Sequence, residues 1–222
     1  MSLITKQLLS RLPKTELHLH LDGSLPFEFI LKRAVERNVL LPATTSQELR
    51  NYIHDLKTKA RKIDPEHTQM AGKNWGVFDW CNQFLQTKEE LKDAASLICK
   101  NIERDHNVKR VELRFCPTLH TLEGLTPKEA VEAVVEGVPD TGGVIICALR
   151  SNDAQHSLEM AQLTIETNNQ TNGKVCGFDI AGDEGSYPLH IHQESIKLCK
   201  TNQIPVTVSS NYKAPRILFY FH

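Results

Sequence analysis

Apolar positions along this chain alternate between runs of period two and stretches of period 3.6, the pattern of strands interleaved with helices. The first run, Glu16-Leu17-His18-Leu19-His20-Leu21, alternates leucine with polar residues and stops at the turn-forming Asp22-Gly23-Ser24. A helical stretch follows from Pro26, which is favoured in a first turn, to about Arg37. A polar, helix-rich region then spans about Leu41 to Gln86. Within it, Thr45-Ser46-Gln47-Glu48 has capping-box spacing before Leu49, Tyr52 and Ile53, and the charged stretch Lys57 to Glu66 reads as solvated. Leu91, Ala94, Ala95, Ile98 and Ile102 recur at helical spacing and predict a long helix from about Thr87 to Asp105.

Strand and helix then alternate regularly. Val108 to Cys116 reads as a strand that stops at Pro117. Thr126-Pro127-Lys128-Glu129 combines a capping box with proline at the first helical position and opens a helix to about Gly137. Gly143 to Arg150 is a strand of the buried type, Ala154 to Thr167 a helix, and Val175 to Ile180 a fourth strand ending in Ala181-Gly182-Asp183-Glu184-Gly185. Ser195 to Lys200 is helical, and Ile204 to Val208 is a fifth strand whose proline lies near its start, where it is tolerated. Five strands separated by helices predict a parallel α/β sheet. The sequence shows no repeat, low-complexity segment or domain linker.

Composition narrows the function classes. With 222 residues and 40% hydrophobic content the chain can hold a sizeable core. Its 26 basic and 27 acidic residues leave no concentrated positive field for a nucleic acid or an anionic membrane. Six scattered cysteines without CxxC spacing read as reduced thiols. Met1 to Lys14 lacks a signal-peptide core, and no window reaches the 18 or so apolar residues of a membrane span. A cytoplasmic protein is expected.

The histidines of the first strand carry the candidate chemistry. In an extended strand His18 and His20 share a face, about 7 Å apart along it, so both can reach one metal ion while Leu17 and Leu19 pack on the other side. Histidines and an acid at a strand end that feeds a helix match the catalytic end of a β/α barrel. His190 and His192 are also two apart, but they adjoin a helix, where that spacing does not bring side chains together. Read alone, Asp22 could serve an Asx turn or cap a helix, and Gly182 could be a plain turn glycine. Asp183 and Glu184 read as rim groups without chemistry.

In sequence order, Leu12-Pro13-Lys14-Thr15-Glu16-Leu17-His18-Leu19-His20-Leu21-Asp22-Gly23-Ser24, Val111-Glu112-Leu113-Arg114-Phe115 and Gly177-Phe178-Asp179-Ile180-Ala181-Gly182-Asp183-Glu184 resemble the first, second and fourth strands of the adenosine deaminase family. The resemblance runs from about Leu12 to Val208. It implies a (β/α)8 barrel of the TIM type with one catalytic Zn2+ at the C-terminal strand ends, and hydrolysis of adenosine or 2′-deoxyadenosine to the inosine product and ammonia. By motif it makes His18 and His20 zinc ligands, places Asp22 against the ribose and sets the Gly182 backbone against the purine edge. The helical insertion after the first strand would help cover the pocket.

The resemblance breaks at the end of the fifth strand. There the family runs into His-Ala-Gly-Glu, whose histidine is the third zinc ligand and whose glutamate is the general acid/base. Here Pro205-Val206-Thr207-Val208 is followed by Ser209-Ser210-Asn211-Tyr212. The family's later histidine beside the attacking water and its Asp-Asp pair have no counterpart either. The expectation is therefore an incomplete barrel of about five of the eight strands over residues 1–208, with a non-homologous tail over 209–222, an incomplete zinc site and no activity. The run Arg216 to His222 is apolar, aromatic and aggregation-prone. A shortened isoform or a clipped gene model would explain such an ending. Two other readings stand beside this one: a deaminase of N6-modified AMP, and a two-metal His-x-His hydrolase bridged by a carboxylated lysine. The second is disfavoured because the fourth strand offers only Lys174, at its start. The partner implied is a small purine nucleoside.

Overall fold

The structure is a computed structural model that describes residues 5–63 and 81–209, with the backbone alone over 56–63. Its elements run α1 (Lys6–Arg11), β1 (Lys14–His20), α2 (Phe27–Glu36), α3 (Ser46–Ile63), α4 (Lys88–His106), β2 (Val108–Phe115), α5 (Pro127–Gly137), β3 (Gly143–Leu149), α6 (Ala154–Gln170), β4 (Val175–Ala181), α7 (Gln193–Thr201) and β5 (Val206–Val208). Short 3-10 turns, Asp22–Ser24, Pro117–His120 and Leu189–His192, also occur. The side chains of the charged stretch from Lys57 on, its last residues 64–66 and the run Arg216 to His222 lie outside the described residues.

Local chemistry starts the helices where the sequence places them. Thr45 and Glu48 exchange the two bonds of a capping box, as do Thr87 with Glu90 and Thr126 with Glu129. Asp153 accepts the His156 N–H at 2.8 Å to open α6. Helix α1 was not expected; its signal is Thr5, whose hydroxyl accepts from the Leu8 N–H. Strand β5 begins at Val206 rather than Ile204. Proline 205 has no N–H to give the ladder, although its carbonyl still accepts from Phe178 N at 2.9 Å.

All pairings are parallel and the strand order is β1-β2-β3-β4-β5. Each strand buries alternate residues on opposite faces. Leu113, Phe115, Val144, Ile146, Ala148, Phe178, Ile180 and Val206 join the helices in the main core, whereas Cys116, Cys147 and Ala181 form a separate small cluster on the inner face. The sheet curls around that inner face. Arg114 on β2 reaches Asp179 on β4 at 3.1 Å and Thr207 on β5 at 3.2 Å; in a flat sheet β2 and β5 would stand roughly 14 Å apart. Five parallel strands with intervening helices therefore make an incomplete (β/α) barrel.

Among the described residues β1 pairs only with β2, and β5 only with β4. The open edge at β1 alters one expectation: Leu19 is half-buried against the core, but Leu17 is exposed. A groove of about 430 Å³ lined by Leu9, Lys14, Leu19, Ile102 and Val108 runs along this edge.

Candidate metal and purine site

The site is built on an irregular first strand. Glu16 pairs with Val111 and Leu19 with Leu113, so three steps of β1 oppose two of β2 and a bulge falls at Leu17-His18. The polar groups of the bulge are met by side chains. The His18 N–H donates to the Glu16 carboxylate at 3.0 Å. The Leu17 carbonyl accepts from Arg114 Nη2 at 2.7 Å. Such a bulge re-aims the side chains beside it, and here the two imidazoles converge: His18 Nε2 and His20 Nε2 lie 3.3 Å apart, with ring centroids at 5.3 Å.

That separation tests the pair as metal ligands. Two donors in a tetrahedral zinc shell of about 2.0–2.1 Å radius are roughly 3.3–3.4 Å apart, so the histidine pair fits. A complete set is not there: no cluster of three or more His, Cys, Asp or Glu that could hold a metal occurs among the described residues. Burial lowers the pKa of His20 to about 4; Asp179 opposes the shift, while His18 and Arg114 add to it. His20 is thus a neutral imidazole near pH 7, the form a metal takes.

Behind the histidines lies a buried polar network that the sequence reading did not single out. Arg114 and Asp179 are 1% and 0% exposed and form an ion pair at 3.1 Å. Asp179 Oδ1 also accepts from the Thr207 hydroxyl at 2.9 Å and the Ser209 N–H at 3.1 Å, and its Oδ2 from the Ser209 hydroxyl at 2.8 Å. Burial opposes ionisation of Asp179, but Arg114, the Ser209 and Thr207 bonds and His20 outweigh it and hold the carboxyl below its ordinary value. The sequence signal was Asp179, a lone charge in the apolar run of β4, whereas Arg114 is one of four charged residues in β2. A single charged residue in a strand does not reveal which other strand supplies its partner.

Asp22 sits in the 3-10 turn directly after β1, and its Oδ1 accepts from the Gly23 N–H at 2.8 Å. It does not cap the following helix, whose N-cap is Pro26. Its charge acts on the inner-face thiols Cys116 and Cys147, so it belongs to the same end of the sheet. Gly182 directly follows β4 and has φ +116°, a conformation that favours glycine. His192 is buried with Nε2 3.3 Å from the Arg150 carbonyl, whereas His190 is exposed, so that pair is not brought together. Glu184 lies 3.8 Å from Arg150, and Asp183 accepts from the Gly185 N–H, consistent with rim roles.

A curled parallel sheet with histidines converging at the C-terminal end of its first strand places the molecule among the β/α-barrel proteins. The sequence model of the family described as adenosine deaminase matches residues 13–207. The chain belongs to the adenosine deaminase family. It is 32% identical over 212 residues to an adenosine deaminase of Streptococcus agalactiae, covering 92% of this chain and 58% of that protein. The chain thus spans somewhat over half the length of that relative. Among solved structures, the N6-methyl-AMP deaminase of Arabidopsis thaliana superposes with a TM-score of 0.71 at 18% identity, covering 94% of this chain and 60% of that one. An amidohydrolase from Burkholderia ambifaria with bound Zn superposes with a TM-score of 0.72 at 17% identity, covering 93% and 55%. At those identities the two structures speak to the fold.

Proposed function

We propose that this chain carries the nucleoside-binding and first metal-ligating part of an adenosine-deaminase-type zinc hydrolase, and that with the residues it has after β5 it does not hydrolyse adenosine. The observation that carries the reading is the convergence of His18 and His20 Nε2 to 3.3 Å within a chain of this family. When bound, zinc would supply a Lewis acid and a water acidified to about neutral pKa. His18 and His20 would hold it as neutral imidazoles. Asp22, on the turn after β1, would take a ribose hydroxyl, and the Gly182 backbone would lie against the purine edge, where a Cβ would intrude. Adenosine is favoured over a nucleotide because the curated relatives at about 32% identity are adenosine deaminases; deamination of an N6-modified AMP is the alternative within the family. By sequence we assign the family-like portion to residues 1–208 and the non-homologous portion to 209–222, of which Ser209 still bonds to Asp179. The six cysteines form no disulfide, which supports a reducing, cytoplasmic setting.

The inactivity rests on Ser209 to Tyr212, which stand where a ligand histidine and a proton-transferring glutamate are expected. Losing such an acid/base group alone costs on the order of 10²–10⁴ in rate. The test is to incubate the purified 222-residue chain with zinc and adenosine, and separately with N6-methyl-AMP, and follow inosine-type product and ammonia. No release above the buffer rate is expected. Release that disappears in His18→Ala would overturn the inactivity and retain the site.

A further inference from the structure

A hydroxyl at the end of β5 lies beside one imidazole of the pair. Ser209 directly follows β5, and its Oγ lies 3.5 Å from His18 Nε2, close to the donor–donor spacing of roughly 3.3–3.4 Å in a tetrahedral zinc shell. Its position is held from two sides. Asp179 accepts both the Ser209 N–H at 3.1 Å and the Ser209 hydroxyl at 2.8 Å, and the Ser209 N–H also reaches the Ile180 carbonyl at 3.0 Å. Asp179 is in turn fixed by Arg114 and Thr207. The hydroxyl is therefore an ordered part of the buried network, on the side of His18.

We propose that Ser209 occupies the third-donor position of the His18–His20 site. In this chain the site is a two-imidazole, one-hydroxyl centre that takes a divalent transition ion weakly and gives it up readily. The chemistry follows from the donor type. A neutral hydroxyl already donating its proton to Asp179 is a poor zinc donor, whereas thiolate, imidazole and carboxylate are the groups that hold zinc in proteins. The donor atom at this position, rather than the fold around it, sets the affinity. Replacing the oxygen by sulfur at the same branch point should then create a two-histidine, one-thiolate site without moving the backbone. This inference rests on reading His18 and His20 as the metal pair, and the controls separate the two ideas.

The experiment compares the parent chain with Ser209→Cys, each titrated with Zn2+ against a chromophoric chelator and with Co2+ by absorption spectroscopy. The parent should bind weakly and lose its metal on dialysis against chelator. Ser209→Cys should bind one equivalent at least about tenfold more tightly, comparable with or beyond the 10–100-fold leverage of a ligand's supporting partner. Its Co2+ form should show a thiolate-to-metal charge-transfer band that the parent lacks. Adding His18→Ala should remove both gains. Matching far-ultraviolet dichroism and melting curves exclude misfolding, and Ser209→Ala, which should bind no more tightly than the parent, reports loss of the hydroxyl without a new donor. A parent chain that retains stoichiometric zinc through chelator dialysis would overturn the proposal. So would a Ser209→Cys protein with unchanged affinity and no charge-transfer band. If the band and affinity gain survive both His18→Ala and His20→Ala, the reading of the histidine pair itself fails; if parent Co2+ binding needs the histidines but Ser209→Cys adds nothing, only the role of Ser209 fails.

Discussion

Breaking the Arg114–Asp179 pair from either side should destabilise the protein strongly, and replacing both members together should cost clearly less than the two single losses added. Both side chains are at most 1% exposed and 3.1 Å apart, so neither charge can turn to water when its partner is removed. Arg114 also holds the Leu17 carbonyl and the Thr207 hydroxyl. Asp179 also holds Ser209 through two bonds and Thr207 through one. Removing one member of a buried pair typically costs about 3–5 kcal/mol, because the other charge remains desolvated and uncompensated. With a urea m-value of about 2–3 kcal/mol/M, that lowers the unfolding midpoint by roughly 1–2.5 M. The variants are Arg114→Met, Asp179→Leu and the double substitution, followed by circular dichroism in urea at neutral pH. Each single variant should lose most of that range, and the double variant should lose clearly less than the sum, with a coupling on the order of 1–3 kcal/mol. Two single variants each within about 1 kcal/mol of the parent, or losses that simply add, would refute the account of a coupled buried ion pair.

Gly182→Ala should cost about 1–3 kcal/mol in a denaturant titration, because residue 182 sits at φ +116° where a side chain is strained; an unchanged midpoint would show that the β4 end relaxes freely. His120 is fully buried with Nδ1 2.9 Å from the Leu85 carbonyl; burial lowers its pKa to about 4 and the carbonyl opposes the shift only partly. A folded-state value below the unfolded one near 6.5 means that its contribution is complete above about pH 6.5 and is lost as pH falls towards 4. The difference in stability between parent and His120→Gln should therefore shrink over that interval by up to roughly 3 kcal/mol, read as urea midpoints at several pH values; a constant difference would contradict the burial argument. Thr87→Ala removes one half of the capping box that opens α4 and should lower stability by about 1 kcal/mol, measured as a shift in thermal midpoint.

Much of this protein was legible from residues in order. Thr45 and Thr126 announce helix starts through side chains that bond within three residues. The apolar runs of β3 and β4 are buried on both faces and so read as parallel strands. His18 and His20 declared themselves because a spacing of two in a strand puts side chains on one face. Their convergence to 3.3 Å was not legible. It is accompanied by a bulge whose Leu17 carbonyl is met by Arg114, 97 positions later. Nor could the order of residues show that Asp179, an acid in an apolar strand, would join Arg114 on β2 and Thr207 on β5 and seat Ser209 beside the imidazoles. Those contacts exist because the sheet curls, bringing together inner faces that strand periodicity describes only one at a time. Local bonding and periodicity are properties of neighbouring residues, so the sequence by itself determined the elements. The pairing of buried charges depends on which strands end up facing each other, and only the tertiary structure decided that.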